Sequence, residues 1–325
     1  MDVILGIDTS NYRTSLCLIN LQGSIVAEEK QLLMVGNGKK GLQQSEALFQ
    51  HVKQLPLLAK NMAMNHYRLV AVAVSRKPRP VEGSYMPVFL AGETVAEMIS
   101  HFQQIPLFYT THQEGHIAAG EYTLENPIDV NHFLVVHLSG GTSEVLDCRR
   151  NHEGYEIQQL GGTKDLHAGQ LIDRVGVALG LPLSSGPYIE EMGRAIDSEE
   201  KDFSVPSSVN GYWFSFSGPE AALLRAHQEG VSPVKIARGA ESCIANTIEK
   251  VLRKALEEGY SKDILIVGGV AANSYLRNRL IHRLSPRSIG ARLYFADPHY
   301  SGDNAFGVAR IGLNQYKRQK ANVVY

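Results

Sequence analysis

One pattern, apolar strand then polar turn then apolar strand, occurs twice in this chain about 130 residues apart, and it constrains the fold more than any other feature. The first copy is VILGIDTSNYRTSLCLIN, with its turn around Asp8, Thr9, Ser10 and Asn11. The second is HFLVVHLSGGTSEVLDCRR, with a strand from Phe133 to Leu138, the turn Ser139, Gly140, Gly141, Thr142 and Ser143, then Val145 and Leu146. Turns of Gly, Ser and Thr can present bare backbone N–H groups and hydroxyls to an anion. Each turn alone is equally an ordinary hairpin composition. Internal duplication of a two-lobed nucleotide binder predicts both at once.

A third element is DILIVGGVAANSYLRNRLIHRL. Asp263 to Val267 reads as a buried parallel strand, Gly268 and Gly269 break it, and Leu276, Leu280, Ile281 and Leu284 recur at helical spacing. Strand, glycine turn, helix is where α/β proteins place ligands, and Asn273 at the helix entrance can bond a base or ribose. A turn with packing duties alone explains the segment equally well. The motif is not GxGxxG, so a dinucleotide fold is disfavoured. Helical stripes follow at Leu48, Val52 and Leu55; at Val95, Met98, Ile99 and Phe102; and at Ile244, Ile248, Val251 and Leu252 in a helix from about Pro233 to Gly259. Mixed αβ order with two hairpin starts implies an α/β chain of two similar lobes, each a mixed sheet covered by helices. The break in periodicity at ENPIDVN puts the boundary near residue 128, giving lobes 1–128 and 129–311, with a last helix at about 312–325 packed on the first lobe and the ligand cleft between them.

His112 and His116 stand one helical turn apart in THQEGHIAAG, so on a helix both imidazoles face one way. With Asp303 in YSGDNA they make the ligand set of an open metal site suited to iron(II) or zinc. An isolated HxxxH is more often a polar helix face. Lys and Arg (32) balance Asp and Glu (33), so no global field gathers nucleic acid, and such a partner needs a local patch or an adaptor. Three scattered cysteines, Cys17, Cys148 and Cys243, fit a reducing compartment and argue against a disulfide framework. No apolar run approaches the roughly 20 residues of a membrane helix, and MDVILGIDTS turns too soon for a signal peptide; a soluble cytoplasmic protein is expected.

Taken in order, LGIDTS, HQEGHIAAG, LSGG, LGGTKDLHAGQLIDRVGVALGLPLSSGP, FSFSG, VGGVAANSYLR and GDNA resemble the N6-threonylcarbamoyladenosine synthase family over nearly the whole chain. That family, once described as glycoproteases, belongs to the ASKHA superfamily of actin-like ATPase, RNase H-like folds. The resemblance implies that His112, His116 and Asp303 hold one divalent metal, iron or zinc. It implies that Leu138, Ser139, Gly140, Gly141 and Thr142 hold the phosphate or carbonyl side of ATP, AMP or an acyl-adenylate, with magnesium as a further ion. Asp173, Gly186 and Asn273 match the positions for ribose and base, while Gly268 and Gly269, read from their turn, let backbone approach the nucleotide. Asp8, Ser10 and Asn11 are the candidate catalytic side chains. The implied reaction moves threonylcarbamoyl from its adenylate to N6 of adenosine in tRNA. Accessory subunits, other protein partners or a homodimer are implied as well.

Two departures stand out. The family's ETSCDET is DTSNYRT here, so Tyr12 and Arg13 replace two acids, and its SGGHT is SGGTS, so Thr142 replaces a histidine. A cation for an anion at a site that handles a proton is not conservative. The pattern is that of a divergent paralogue whose acceptor is open, or else of a catalytically altered nucleotide-binding partner or regulator. A metalloglycoprotease ranks last, because HExxH needs its glutamate directly after the first histidine and Glu114 comes one later. Arg76, Lys77 and Arg79 form a basic loop suited to phosphates or to solvent, His137, His167 and His299 are expected to be ordinary polar residues, and Trp213 reads as a packing anchor.

Overall fold

Aliphatic and β-branched runs between polar turns become strands, and the computed structural model, which describes residues 1–34, 42–62, 64–196, 203–300, 302 and 305–322, pairs ten of them into two five-stranded sheets. The chain opens with β1 (Asp2–Thr9), β2 (Arg13–Asn20), β3 (Ile25–Leu32), α1 (Gln44–Asn61), β4 (Arg68–Ser75), α2 (Phe89–Gln103), β5 (Leu107–Thr110) and α3 (His112–Tyr122). Next come β6 (His132–Leu138), β7 (Ser143–Arg150), β8 (Tyr155–Gly162), α4 (Ala168–Ala178), α5 (Gly186–Arg194), β9 (Ser208–Asn210) and β10 (Trp213–Ser215). It closes with α6 (Ser217–Gln228), α7 (Pro233–Glu257), β11 (Asp263–Val267), α8 (Ser274–Leu284), β12 (Arg292–Phe295) and α9 (Phe306–Asn322).

Two compact units result, Met1–Thr123 with Arg150–Glu156 and Gly302–Tyr325, and Leu124–Arg149 with Ile157–Ser301. The first takes all of α9, where the sequence suggests only about 312–325, and a short piece from mid-chain. Their sheets follow one plan. The strand order is β3-β2-β1-β4-β5 in one and β8-β7-β6-β11-β12 in the other. In each, the middle strand pairs antiparallel with its hairpin partner and parallel with a later strand, β1 with β2 and β4, β6 with β7 and β11. The internal repeat is thus a repeat of topology.

In the first unit, Val3, Leu5 and Ile7 of β1 join Leu55 and Leu58 of α1 and Ala91 and Ala96 of α2 in one core. Ile4, Gly6 and Asp8 alternate to the other face. A Cβ on Gly6 would lie 2.8 Å from the Cβ of Ala309, so glycine is what lets α9 lie on the strand. A Cβ on Gly307 would strike the Gly115 carbonyl, so α3 and α9 pack backbone to backbone. In the second unit, Leu134, Val136 and Leu138 of β6 and Ile264 and Ile266 of β11 share a core with α4, α5, α6, α7 and α8. Burial of each such aliphatic stabilises by about 1.5–3 kcal/mol.

Two of the expected helical stripes are offset from the buried faces. On α1, Val52 is exposed, while the buried line runs Ala47, His51, Gln54, Leu55 and Leu58. Two polar residues on that line are satisfied internally: Thr14 Oγ1 lies 2.7 Å from His51 Nδ1 and 2.6 Å from Gln54 Oε1. On α2, Met98 and Phe102 are exposed, whereas Val95 and Ile99 do pack against the core, beside buried Phe89, Ala91, Gly92 and Ala96, with a Cβ on Gly92 only 2.9 Å from Thr9 Oγ1. Counting large apolar residues cannot see faces built from His, Gln, Gly and Ala. The α7 stripe is fully buried. Trp213 is exposed and the anchors are its neighbours Phe214 and Phe216, because alternation along β10 turns Trp213 outward, near Lys164.

Candidate functional site

Helix α3 begins where the sequence supplies a start signal. Thr111 is its N-cap in extended conformation, its Oγ1 accepts from Glu114 N at 3.3 Å, and Glu114 Oε2 accepts from Thr111 N at 2.9 Å. This capping box stabilises by about 1 kcal/mol and fixes the first turn. The next donors are satisfied by the basic loop: His112 N donates to Lys77 O and Gln113 N to Pro78 O, both at 3.0 Å. Within that loop Arg76 stacks over the Tyr109 ring at 4.8 Å, beside Glu93.

From this turn His112 and His116 project together. Their Nε2 atoms are 3.1 Å apart and their rings cross at 82°. Behind His112, its Nδ1 lies 3.0 and 3.1 Å from the two oxygens of Asp8, which is wholly buried on β1 and also accepts from the Ser75 hydroxyl. The carboxylate assigns the proton to Nδ1, so that Nε2, which faces His116, carries a lone pair rather than a proton. Two imidazole nitrogens bonded to one zinc at about 2.0–2.1 Å sit about 3.0–3.4 Å apart for angles of about 95–110°. The observed spacing falls in that range and is equally that of an N–H···N hydrogen bond between the two rings. Asp303 lies outside the described residues, and among those residues no group of three His, Cys, Asp or Glu side chains forms a cage.

Glu114, between the histidines, is committed elsewhere. Besides the cap, its Oε2 accepts from Thr110 Oγ1 at 3.1 Å and Thr111 Oγ1 at 2.8 Å, and its Oε1 from Tyr155 N at 3.3 Å. A general base for peptide hydrolysis needs a free carboxylate, and this one is buried and saturated.

At the first hairpin turn, Ser10 N donates to Arg13 O at 3.2 Å and Arg13 N to Ser10 Oγ at 3.3 Å. Asn11 Oδ1 accepts from Gln44 Nε2 at 2.6 Å, and His51 Nε2 lies 2.7 Å from Ser10 O. Tyr12 is exposed, and Arg13 Nη1 stands 3.3 Å from where a Cβ on Gly302 would be. His51 and Ser75 were not legible as site residues, since neither lies in a motif.

The second unit holds a cavity of about 400 Å³ lined by Gly140, Asp173, Gly186, Glu241, Gly269 and Asn273, among others. A Cβ on Gly140, Gly186 or Gly269 would meet nothing within 4 Å, so packing does not demand glycine at these positions. Bare backbone there leaves the space to a ligand. Gly268 has a different reason: its φ is +97°, and a Cβ would strike the Leu138 carbonyl. At the Ser139–Thr142 turn, Ser139 N donates to Thr142 O at 2.7 Å and Thr142 N to Ser139 Oγ at 3.0 Å. Leu138 is buried just before it, and Gly141 is exposed at its tip. Helix α4 abuts the turn, since a Cβ on Gly169 would lie 2.7 Å from Gly140 Cα, and its N-terminal dipole favours an anion there.

Burial raises the Asp173 carboxyl above its usual range, against the pull of the Ser185 N–H on Oδ1 at 2.7 Å. Asn273 caps α8 by accepting from Leu276 N at 2.8 Å, and its Nδ2 donates to Glu241 Oε1 at 2.6 Å. Sequence reasoning missed Glu241, which sits mid-helix in α7 without a motif. His299 packs edge-on against Tyr300.

The family model described as tRNA N6-adenosine threonylcarbamoyltransferase matches residues 38–310. Proteins so named from Caldicellulosiruptor saccharolyticus and Thermus thermophilus are each 30% identical to this chain, over 95% and 97% of it and 92% and 93% of their own lengths. One from Methanopyrus kandleri is 27% identical over 96% of the chain and 87% of its own. Among solved structures, HypF of T. kodakarensis aligns with a TM-score of 0.60 at 15% identity over 98% of this chain and 48% of its own. A ROK family glucokinase from Streptomyces griseus, in complex with glucose and AMPPNP, aligns at 0.53 and 12% identity over 95% and 99%. These structures show the fold alone: the ASKHA-type α/β architecture.

Proposed function

The chain belongs to the tRNA N6-adenosine threonylcarbamoyltransferase family, and from that premise we propose that it is a metal-dependent, adenylate-using transferase that moves threonylcarbamoyl to the N6 amine of an adenosine in tRNA. The observation that carries the metal is the pair of Nε2 atoms 3.1 Å apart with Asp8 behind one of them. Iron(II) or zinc held by His112, His116 and Asp303 would polarise the carbamoyl carbonyl as a Lewis acid.

The chain's own residues do the rest. Asp8 holds His112 in the tautomer that offers Nε2, which makes it an orienting group, whereas Ser10 and Asn11 remain the polar side chains of the reacting turn. The Ser139–Thr142 turn and the α4 N-terminus take the phosphate of the adenylate. Asp173 accepts from the ribose hydroxyls, and Gly186, Gly269 and Asn273 frame the base. In the transfer, N6 bonds to the carbamoyl carbon, the bond from that carbon to the phosphate oxygen breaks, AMP leaves with the electron pair, and one amine proton is released. Arg13 and Tyr12, in place of the family's acids, set which amine is accepted. A chain of net charge −1 meets tRNA through accessory subunits.

The test is transfer itself. Full-length protein, threonylcarbamoyl-adenylate, unmodified tRNA and the accessory subunits are expected to yield threonylcarbamoyladenosine, read by mass spectrometry of the nucleosides, and His112→Ala to yield none. Product from His112→Ala or His116→Ala equal to that from wild type would remove the metal from the account. No product from protein that binds both metal and nucleotide would overturn the tRNA acceptor.

A further inference from the structure

The cavity of the second unit contains a carboxylate whose duty is not explained by packing. Glu241 is 2% exposed, on the α7 face that lines the cavity. Its two oxygens have separate partners: Oε1 accepts from Asn273 Nδ2 at 2.6 Å, and Oε2 from Arg238 Nη1 at 2.7 Å. Arg238 is itself fixed, donating to Gly193 O at 2.6 Å and lying 3.9 Å over the Tyr275 ring. Glu190 and Arg194 on α5 also act on Glu241, and Asp173 lines the same cavity.

The donor count at Asn273 makes its orientation depend on Glu241. In the present arrangement Oδ1 accepts from Leu276 N, one Nδ2 hydrogen goes to Glu241, and the second is left for the cavity that Asn273 lines. If Glu241 carried its proton on Oε1, that O–H would face the Nδ2 donor. The amide could meet it only by flipping, which would set Nδ2 against Leu276 N and lose the cap of α8. Ionised Glu241 and the donor-forward amide belong to one state.

We propose that Glu241 is the positioning residue of this cavity: as a carboxylate it holds Asn273 so that an N–H donor faces an acceptor atom of the nucleobase, and protonation releases that hold. The inference rests on reading the cavity as a nucleotide site. It also places the switch in the physiological range. Burial pushes the Glu241 carboxyl up to about 7, with Asn273 and Arg238 pulling it down and Glu190 pushing it further up.

The experiment is ATP binding to the full chain by calorimetry between about pH 5.5 and 8.5, for wild type, Glu241→Gln and Asn273→Ala. The titration of the ligand's own phosphate, and of Asp173, is common to all three, so differences between the profiles read the Glu241–Asn273 pair. Wild-type affinity is expected to fall as the pH drops through about 7, approaching tenfold per unit relative to the variants, with release of a proton on binding. Both variants bind more weakly, with neither the extra slope nor the proton release. Together they weaken binding no more than Asn273→Ala alone. A wild-type profile parallel to Asn273→Ala, or losses that add in the double variant, would overturn the positioning role and leave the nucleotide site standing. No ATP binding at any pH would overturn the site itself. If circular dichroism shows Glu241→Gln unfolded, wild type against Asn273→Ala decides alone.

Discussion

The hairpins β1–β2 and β6–β7 close their turns with the same hydrogen bonds. Ser10 N to Arg13 O and Arg13 N to Ser10 Oγ in one are Ser139 N to Thr142 O and Thr142 N to Ser139 Oγ in the other. Register agrees too, since Thr9 faces Thr14 and Leu138 faces Ser143 across four-residue turns. What differs is everything the backbone does not fix. The first turn carries Asn11, Tyr12 and Arg13 at its tip and a buried Asp8 tied to a histidine; the second carries two glycines backed by a helix N-terminus. On the proposed reading, one scaffold, used twice, serves side-chain chemistry in the first unit and backbone recognition in the second.

If that division holds, changes at the two hairpins separate. The largest effect is expected from His112→Ala or His116→Ala, which abolish metal retention and transfer while ATP affinity stays as in wild type; a parallel fall in ATP binding would break the division. Asp8→Asn should be the next largest, about 10–100-fold in metal affinity, because the amide no longer enforces the His112 tautomer. Elemental analysis under a graded chelator reads it, and an unchanged affinity would deny Asp8 its orienting role. Gly186→Ala and Gly140→Ala sharpen the other half: a methyl fills ligand space without touching protein, so ATP affinity should drop about tenfold, a cost of about 1.4 kcal/mol. Thermal stability should hold or rise by about 0.4–1 kcal/mol, since neither glycine has a positive φ.

The smallest effects are in stability against pH. Glu241 is raised above its unfolded value, so the folded state binds more protons between about 4.5 and 7. Its share of stability therefore grows as pH falls through that window, and Glu241→Gln should remove the slope. Asp165 has the opposite sign. Burial works against it, but hydrogen bonds from Ser215, Ser217, Leu166 N and Phe216 N hold its carboxyl well below the usual range. Stability it confers is complete above its unfolded value near 4 and is lost as pH falls below that, which chemical denaturation at pH 2 against pH 5 would show in wild type and not in Asp165→Asn.

Much of this plan was legible in the chain. Two turns rich in small polar residues announced the duplicated hairpins, because backbone exposure depends on residue type, and the HxxxH spacing placed two imidazoles on one helical face. Helix faces were misread where burial is achieved without large apolar side chains. His51 and Gln54 are buried through hydrogen bonds to Thr14, and the most buried positions of α2 include Ala91, Gly92 and Ala96 beside Phe89, where the stripe's Met98 and Phe102 are exposed. Partner choice was equally invisible. Nothing in the spacing of Asp8, Ser75 and His112, or of Glu241 and Asn273, foretells that sheet and helix bring them within hydrogen-bond reach, since those pairs are 104 and 32 residues apart for His112–Asp8 and Asn273–Glu241.

The central claim is that the first hairpin and α3 build a metal site while the second hairpin builds a nucleotide site. Metal content of the purified chain, measured by mass spectrometry for wild type and for the His112→Ala, His116→Ala double variant, tests it most directly. The account predicts one iron or zinc per wild-type chain and none in the variant, with both proteins folded and binding ATP alike. An ion retained by the double variant, or none in wild type after reconstitution with either metal, would contradict it.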